Sequence, residues 1–236
     1  MAKYDLKTLL EENSYPGRGI VVGKSPDGKK AMTAYFIMGR SENSRNRVFE
    51  RFEGGMRTKA FDESKLVDPS LIIYNPFLFK PGVDVVTNGD QTDTIMNFMN
   101  EGKTFEEALA TREFEPDAPN YTPRISAALY YENKDFTYKF SILKSANGDP
   151  SVCQRLFYDY TPEAGIGHFI HTYRCDGNPI PSFDGEPEEI ALPDSPKEFA
   201  EMVWESLNED NKVSLFVRCV DLKYGHATEY ILNKNR

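Results

Sequence analysis

The residues best placed for chemistry are the small polar side chains of the segment VVTNGDQTDT, residues 85–94. A β-branched run ends at Asn88, and apolar residues at helical spacing begin at Ile95, which predicts a strand, a sharp turn and a helix start. The first N–H groups of a helix lack internal partners and lie at the positive end of its dipole, so they can hold an anion or a polar ligand edge. The candidate ligand-binding residues of this segment are Asn88, Gly89, Asp90, Thr92 and Asp93.

A purely structural interpretation of the same segment is open. Thr92 or Asp93 would then only cap the helix, and Asn88-Gly89 would only turn the chain. Spacing alone favours this second interpretation.

Two further groups of residues could do chemistry. Arg40, Arg45 and Arg47 lie in one polar segment, and guanidinium groups offer bidentate donors matched to phosphate oxygens; charge alone favours a solvated loop. Residues 71–79 are predicted to be an apolar strand that Tyr74-Asn75-Pro76 interrupts, since the proline removes a ladder donor and implies an edge, a bulge or a strand end. The Tyr74 phenol can donate or accept a hydrogen bond, and the alternative is a half-buried core tyrosine.

Several motifs occur in a fixed order over about 110 residues. They are Gly17-Arg18, Val21-Val22-Gly23, Asn46-Arg47, Tyr74-Asn75 fourteen positions before Asn88, VVTNGDQTDTI itself, and Thr122-Pro123-Arg124-Ile125-Ser126-Ala127-Ala128. Together they resemble the archaeal-type inosine monophosphate (IMP) cyclohydrolase family. The resemblance fades after residue 150, where His171-Thr172-Tyr173 and a late helix still fit.

The resemblance implies a reaction and roles for residues. The reaction is closure of 5-formamidoimidazole-4-carboxamide ribonucleotide to IMP with loss of water, which requires no cofactor. Tyr74 and Glu115 would be the proton-transfer groups, with Asp117 an alternative because matching Glu115 requires a one-residue insertion before Thr122. The implied substrate-binding residues are Arg47, Asn75, Asn88, Gly89, Asp90, Thr92, Asp93 and Arg124.

Composition limits the partners of this chain. Its 236 residues include 39% hydrophobic and 28% charged residues, and its net charge is −9. An acidic chain is a poor partner for nucleic acid or an anionic membrane, so an anionic ligand needs a local cluster of cations. The three cysteines are widely spaced, which predicts reduced thiols and a cytoplasmic protein; no secretory signal or long apolar run appears. His168 and His171 lack a third metal ligand at a telling interval, so no metal site is expected.

Most of the elements that would position these residues are predicted to be strands in hairpins. Helical segments are predicted after the Asn88 turn and from Ser195-Pro196 onward. Residues 176–193 are predicted to be a polar loop. This pattern predicts an α+β protein. We expect one domain over residues 1–236, with residues 1–15 as an N-terminal helical extension. The resemblance implies a four-layer αββα sandwich like that of N-terminal nucleophile hydrolases. The chain starts Met1-Ala2, so the usual nucleophile of that fold is expected to be missing.

Two other functions stay open: an amide hydrolase of the same fold, and a purine-nucleotide-binding protein without catalysis. The expected partners are a purine nucleotide substrate and product, and homo-oligomer formation is left open.

Overall fold

In the computed structural model, residues 2–67 and 69–235 are described, and they form two antiparallel β-sheets with five α-helices. The helices are α1 (Leu6–Glu12), α2 (Glu42–Arg45), α3 (Gln91–Asn100), α4 (Phe105–Ala110) and α5 (Pro196–Ser206). The strands are β1 (Arg18–Lys24), β2 (Lys30–Met38), β3 (Arg47–Phe52), β4 (Gly55–Ala60), β5 (Phe77–Lys80), β6 (Val83–Thr87), β7 (Arg124–Glu132), β8 (Asp135–Ala146), β9 (Asp149–Tyr160), β10 (Ile166–His171), β11 (Glu188–Ala191), β12 (Lys212–Asp221) and β13 (Ala227–Asn233). Met1, on which the missing-nucleophile prediction rests, lies outside the described residues.

The strands are divided between a six-stranded and a seven-stranded sheet. The six-stranded sheet has the order β11-β10-β1-β2-β12-β13, and the seven-stranded sheet has the order β3-β4-β5-β6-β7-β8-β9. Because neighbouring strands are antiparallel, β6 ends where β7 begins, with Thr87 opposite Ser126. The ends of β6 and β10 and the starts of β1 and β7 can therefore contribute side chains to one end of the fold.

Three apolar clusters hold the layers together. One draws side chains from both sheets, including Tyr35 of β2 and Tyr138 of β8, and fills the space between them. A second joins α1 and α5 to the other face of the six-stranded sheet, and a third joins α3 and α4 to the seven-stranded sheet. Burial of such faces is the main favourable term in folding, and the α+β prediction with two antiparallel sheets is confirmed.

Helix starts follow the signals in the sequence. The Ser195 hydroxyl accepts a hydrogen bond from the Glu198 N–H at 3.4 Å, with proline in the first turn. The Thr104 and Glu107 side chains form a capping box at the start of α4. The predicted short helix near the N-terminus is also present, and its Leu6 and Leu10 are buried against α5 and the sheet.

Two predictions about local structure were wrong. Residues 71–76 are not strand, and only Phe77–Lys80 of the expected strand pairs in the sheet. The reason is Thr58, whose side-chain hydroxyl accepts from the Tyr74 N–H at 2.8 Å and donates to the Ile72 carbonyl at 2.7 Å, replacing the ladder. The loop expected over residues 176–193 contains β11, which adds an edge strand to the six-stranded sheet. No helix in the described ranges is long and apolar enough to span a membrane.

Candidate active site

Three buried arginines occupy the first position of three strands: Arg18 in β1, Arg47 in β3 and Arg124 in β7. Several of their N–H groups have no hydrogen-bond partner among the described residues: Nε of Arg18, Nε of Arg124, and both Nη atoms of Arg47. Buried polar groups are nearly always hydrogen-bonded in native proteins. Unpartnered guanidinium donors on several side chains indicate a site built for an anion.

Arg47 is the most enclosed of these cations, with no exposed surface. Its Nε donates to the Ser44 carbonyl at 2.8 Å, which fixes the direction of the side chain. Burial lowers the pKa of Arg47, and the positive charge of Arg18 lowers it further. The solvated-loop interpretation of Arg47 is therefore wrong, while Arg40 and Arg45 stay partly exposed.

Tyr74 lies beside Arg47, and its hydroxyl is hydrogen-bonded to the Tyr35 hydroxyl at 2.8 Å. Tyr74 is 6% exposed and Tyr35 is fully buried. Burial raises the pKa of the Tyr35 phenol well above its ordinary value, and the neighbouring Tyr74 adds to this effect. The pair joins the two sheets, since Tyr35 belongs to β2 and Tyr74 precedes β5.

Glu115 brings a carboxyl group among the arginines. It is 2% exposed, and its backbone N–H donates to the Thr122 carbonyl at 2.9 Å. Burial raises its pKa to about 7, although the charges of Arg18, Arg124 and Arg47 act in the opposite direction. Burial opposes the charge of Arg18, but attraction to Glu115 together with the phenols of Tyr173, Tyr74 and Tyr15 outweighs burial and raises the Arg18 pKa. A carboxyl titrating near neutrality is suited to proton transfer.

Asp117, the alternative acid, has a different environment. Its carboxylate accepts from the Thr122 N–H at 2.6 Å and from the Thr122 hydroxyl. That hydroxyl is also 2.5 Å from the Tyr173 hydroxyl. Asp117 therefore braces the loop before β7, whereas the Glu115 carboxyl group is under the charges of Arg18, Arg124 and Arg47.

The Asn88 turn is held together by its own side chains. Asn88 Nδ2 donates to the Pro123 carbonyl at 2.9 Å, and its Oδ1 accepts from the Ile125 N–H at 2.8 Å. The hydroxyls of Thr87 and Thr92 share a hydrogen bond of 2.6 Å. Asn88 and Thr92 are both fully buried, so these two side chains shape the end of β6.

The other residues of the turn make contacts with charged partners. Asp90 Oδ1 lies 2.8 Å from Arg124 Nη1 and 2.5 Å from Arg112 Nη2. A Cβ atom at Gly89 would lie 2.4 Å from Arg124 Nη1, so only glycine lets this guanidinium approach. Asp93 Oδ1 accepts from Asn75 Nδ2 at 3.1 Å.

The capping interpretation of Thr92 or Asp93 was wrong. Asp90 is the residue before the first turn of α3, so Thr92 and Asp93 lie inside that turn. The Asp90 side chain makes no capping bond to the helix, because its carboxylate is directed to the arginines.

Aromatic rings stand next to the arginines. The rings of Tyr15 and Tyr173 are stacked with centroids 5.8 Å apart, and the phenols of both act electrostatically on Arg18. The Arg40 guanidinium lies over the Tyr15 ring at 5.2 Å. Arg40 Nη1 also contacts Asp176 Oδ1 at 2.5 Å, which ties the loop after β10 to this cluster.

Sequence reasoning missed Arg18, Tyr35, Tyr15 and Tyr173 as members of the site. Arg18 carried a signal, since it belongs to the Gly17-Arg18 motif. Gly17 itself has φ of +80°, and a Cβ there would lie 2.3 Å from Thr172 Oγ1. Tyr35 lies in an ordinary apolar strand and carried no such signal.

Groups elsewhere in the fold do not join this site. His168 Nδ1 is bonded to the Tyr138 hydroxyl at 2.7 Å, and His171 Nδ1 donates to the Tyr173 carbonyl at 2.7 Å. No three His, Cys, Asp or Glu side chains come together as a metal site within residues 2–67 and 69–235. A cleft of about 400 Å³, lined in part by Asp84 and Arg218, lies near the start of β6 and the end of β12, away from the candidate site.

Comparison with known proteins gives two matches. The model of a family described as "IMP cyclohydrolase-like protein" matches residues 15–224. A protein of Methanosphaera stadtmanae named IMP cyclohydrolase is 33% identical over 156 residues, which cover 63% of this chain and 76% of that protein.

Proposed function

The chain belongs to the IMP cyclohydrolase-like protein family, and on that premise we propose that it is an IMP cyclohydrolase. The reaction closes 5-formamidoimidazole-4-carboxamide ribonucleotide to IMP with loss of water, at the end of de novo purine synthesis. The observation that carries the proposal is the group of buried arginines with unpartnered N–H donors around Glu115. These groups suit a phosphorylated substrate with a proton to lose.

The arginines supply the anion binding that an acidic protein otherwise lacks. The net charge is −9, so long-range attraction does not favour a nucleotide. Local hydrogen-bond donors must therefore attract the nucleotide. Arg47 and Arg124 are the proposed ligands of the phosphate or carboxamide, with Arg18 as a third cation. Binding would satisfy the N–H groups that have no partner inside the described chain.

The turn after β6 is proposed to shape the base and ribose end of the site. Its residues reach the ligand partly through their neighbours, since Asp90 and Gly89 set the position of the Arg124 guanidinium. The proposed members are Asn75, Asn88, Gly89, Asp90, Thr92 and Asp93.

The chemistry needs positioning and two proton movements. The carboxamide nitrogen attacks the formyl carbon and loses one proton, and the formyl oxygen gains one proton as the C–N bond forms. The formamide nitrogen then loses its proton, and the oxygen leaves as water. Alignment of the reacting groups lowers much of the barrier, and Tyr74 and Glu115 are the proposed proton-transfer groups. A pKa of about 7 keeps Glu115 available in both protonation states near neutral pH.

The finer fold assignment belongs to the same proposal. Helices pack on the outer faces of two sheets, which supports a four-layer αββα sandwich related to N-terminal nucleophile hydrolases. One domain spans residues 1–236, with the first 15 residues as a helical addition. A purine nucleotide is the proposed substrate and product, and the cytoplasm is the proposed location.

Incubation of the purified protein with the formylated substrate tests the proposal, with ring closure followed by the ultraviolet change. Conversion to IMP should proceed in the presence of a chelator and without any added nucleotide cofactor. Loss of activity with chelator and its return with a divalent ion would refute the cofactor-free chemistry. Tight IMP binding without turnover would instead indicate the non-catalytic nucleotide-binding protein.

A further inference from the structure

The hydrogen bond between the Tyr35 and Tyr74 hydroxyls has a direction that their surroundings determine. The two oxygens are 2.8 Å apart, and either atom could be the donor. In the part of the chain that the structure describes, neither hydroxyl makes a second hydrogen bond. The pair therefore has two hydrogens and one hydrogen bond, so one hydrogen is left without a protein acceptor.

The surroundings decide which hydroxyl carries the spare hydrogen. Tyr35 is fully buried, so a spare hydrogen on its hydroxyl would meet neither water nor a protein acceptor. Arg47 and Arg18 are the charged groups that act on Tyr35, and guanidinium groups have no acceptor. Tyr74 is 6% exposed, and its phenol acts electrostatically on both Arg47 and Arg18. Its hydrogen can reach a ligand held by these arginines.

The backbone of Tyr74 is fixed independently of this pair. Its N–H donates to Thr58 Oγ1 at 2.8 Å, and its carbonyl accepts from the Thr58 N–H at 2.9 Å. The ring of Tyr35 is stacked on Phe49 with centroids 5.6 Å apart. The Tyr74 backbone and the Tyr35 ring are therefore held without the hydroxyl contact, which is left to orient the Tyr74 side chain and its O–H bond.

We propose that Tyr35 is a positioning residue that donates its hydroxyl hydrogen to Tyr74 Oη, so that Tyr74 presents its own O–H to the formyl oxygen of the substrate. As the C–N bond forms, that oxygen gains negative charge, and Tyr74 donates to it. Burial raises the Tyr35 pKa, which keeps Tyr35 protonated as a donor. The assignment rests on the proposed function and adds the direction of the hydrogen bond.

A double-mutant cycle tests this role. The proteins compared are wild type, Tyr35→Phe, Tyr74→Phe and the double variant, with kcat and KM measured for ring closure. Tyr35→Phe should lower kcat by roughly tenfold or more with little change in KM, because it removes orientation of a catalytic donor. In the Tyr74→Phe background the same substitution should have no further effect on kcat.

Tyr138→Phe is the matched control. Tyr138 is also buried between the sheets, but it lies outside the candidate site. Its replacement by phenylalanine removes one hydrogen bond, to His168. Its kcat should equal that of the wild type, and its melting temperature should fall about as much as that of Tyr35→Phe. Equal losses of kcat in the two variants would show a general packing effect and overturn the proposal.

Other outcomes separate this inference from the proposed function. An inactive wild type refutes the proposed function, whereas an active wild type with full kcat in Tyr35→Phe refutes the positioning role alone. An equal effect of Tyr35→Phe in both backgrounds also refutes it, since Tyr35 would then act without Tyr74. If Tyr35→Phe does not fold, 3-fluorotyrosine at position 35 keeps the ring and the donating hydroxyl, so the positioning role predicts a kcat close to that of the wild type; a tenfold loss of kcat in that protein would overturn the role.

Discussion

Replacement of Glu115 by glutamine should change how stability depends on pH. The folded protein raises the pKa of this carboxyl from 4.5 to about 7, so it binds a proton more tightly when folded. Its stabilising contribution is fully present below the unfolded pKa and is lost as pH rises through about 7. The shift corresponds to about 3 kcal/mol of unfolding free energy, because the side chain is 2% exposed and little screened.

Urea unfolding at about pH 4 and about pH 8 measures this contribution. The glutamine side chain does not titrate, so the stability of wild type relative to Glu115→Gln should fall by about 3 kcal/mol between the two conditions. Glu53→Gln is the control, since Glu53 is exposed and its replacement makes the same chemical change outside the candidate site. Parallel pH profiles for wild type and Glu115→Gln would refute the assignment of the raised pKa.

The same titration should appear in catalysis. If the ionised Glu115 carboxylate accepts a proton, kcat/KM should rise with pH through about 7, the pKa of Glu115. This rising limb of the pH profile should be absent in Glu115→Gln. A limb retained in the variant would assign the titration to another group and leave Glu115 with a structural role.

Other predictions concern both function and stability. Arg47→Met should weaken IMP binding by about tenfold or more in calorimetry, because charge-assisted hydrogen bonds are lost. It should also raise the melting temperature, because two unpartnered buried donors are removed. Unchanged IMP affinity would contradict a contact between Arg47 and the ligand. Tyr74→Phe should lower kcat by roughly 100-fold in the ring-closure assay, with IMP affinity retained, and full turnover would remove it from the mechanism. Asn88→Ala should lower the urea-unfolding free energy by roughly 2 kcal/mol or more, because its side chain makes three hydrogen bonds, and wild-type stability would show that these bonds are dispensable. Arg218→Met should destabilise by roughly 3 kcal/mol or more, since it leaves the buried Asp84 carboxylate without its partner, while kcat of the folded protein is unchanged; a selective loss of kcat would connect the far end of the sandwich to catalysis.

The sequence predicted most strands because their hydrophobic pattern is local. The expected hairpins are present, as in β1 with β2 and β3 with β4. The expected strand over residues 71–76 was wrong, because the Ile72 carbonyl and the Tyr74 N–H bond to the Thr58 side chain, more than ten residues earlier, and the Ile72 and Ile73 N–H groups bond to the Pro69 carbonyl. A contact of this kind leaves no trace in local periodicity.

The candidate site was predicted only in part for the same reason. Glu115 and Arg124 were named from the resemblance, and the structure groups them with Arg47, while their roles stay predictions. Tyr35 could not be named, since its importance depends on Tyr74, 39 residues later in the chain, in the segment before β5. Asn88 was expected to contact a ligand, yet its amide is engaged with backbone groups, because a buried amide must satisfy its own hydrogen bonds first.

The unpartnered guanidinium donors also affect how long the protein survives. A protein that loses hydrogen bonds when its site is empty unfolds more readily in that state, and proteases degrade chains in proportion to the time they spend open. A ligand at 100 times its dissociation constant adds about 2.7 kcal/mol to the free energy of unfolding. If Arg18, Arg47 and Arg124 bind the nucleotide as proposed, its concentration should also set the proteolytic lifetime of the chain, so that excess IMP slows protease digestion of the purified protein.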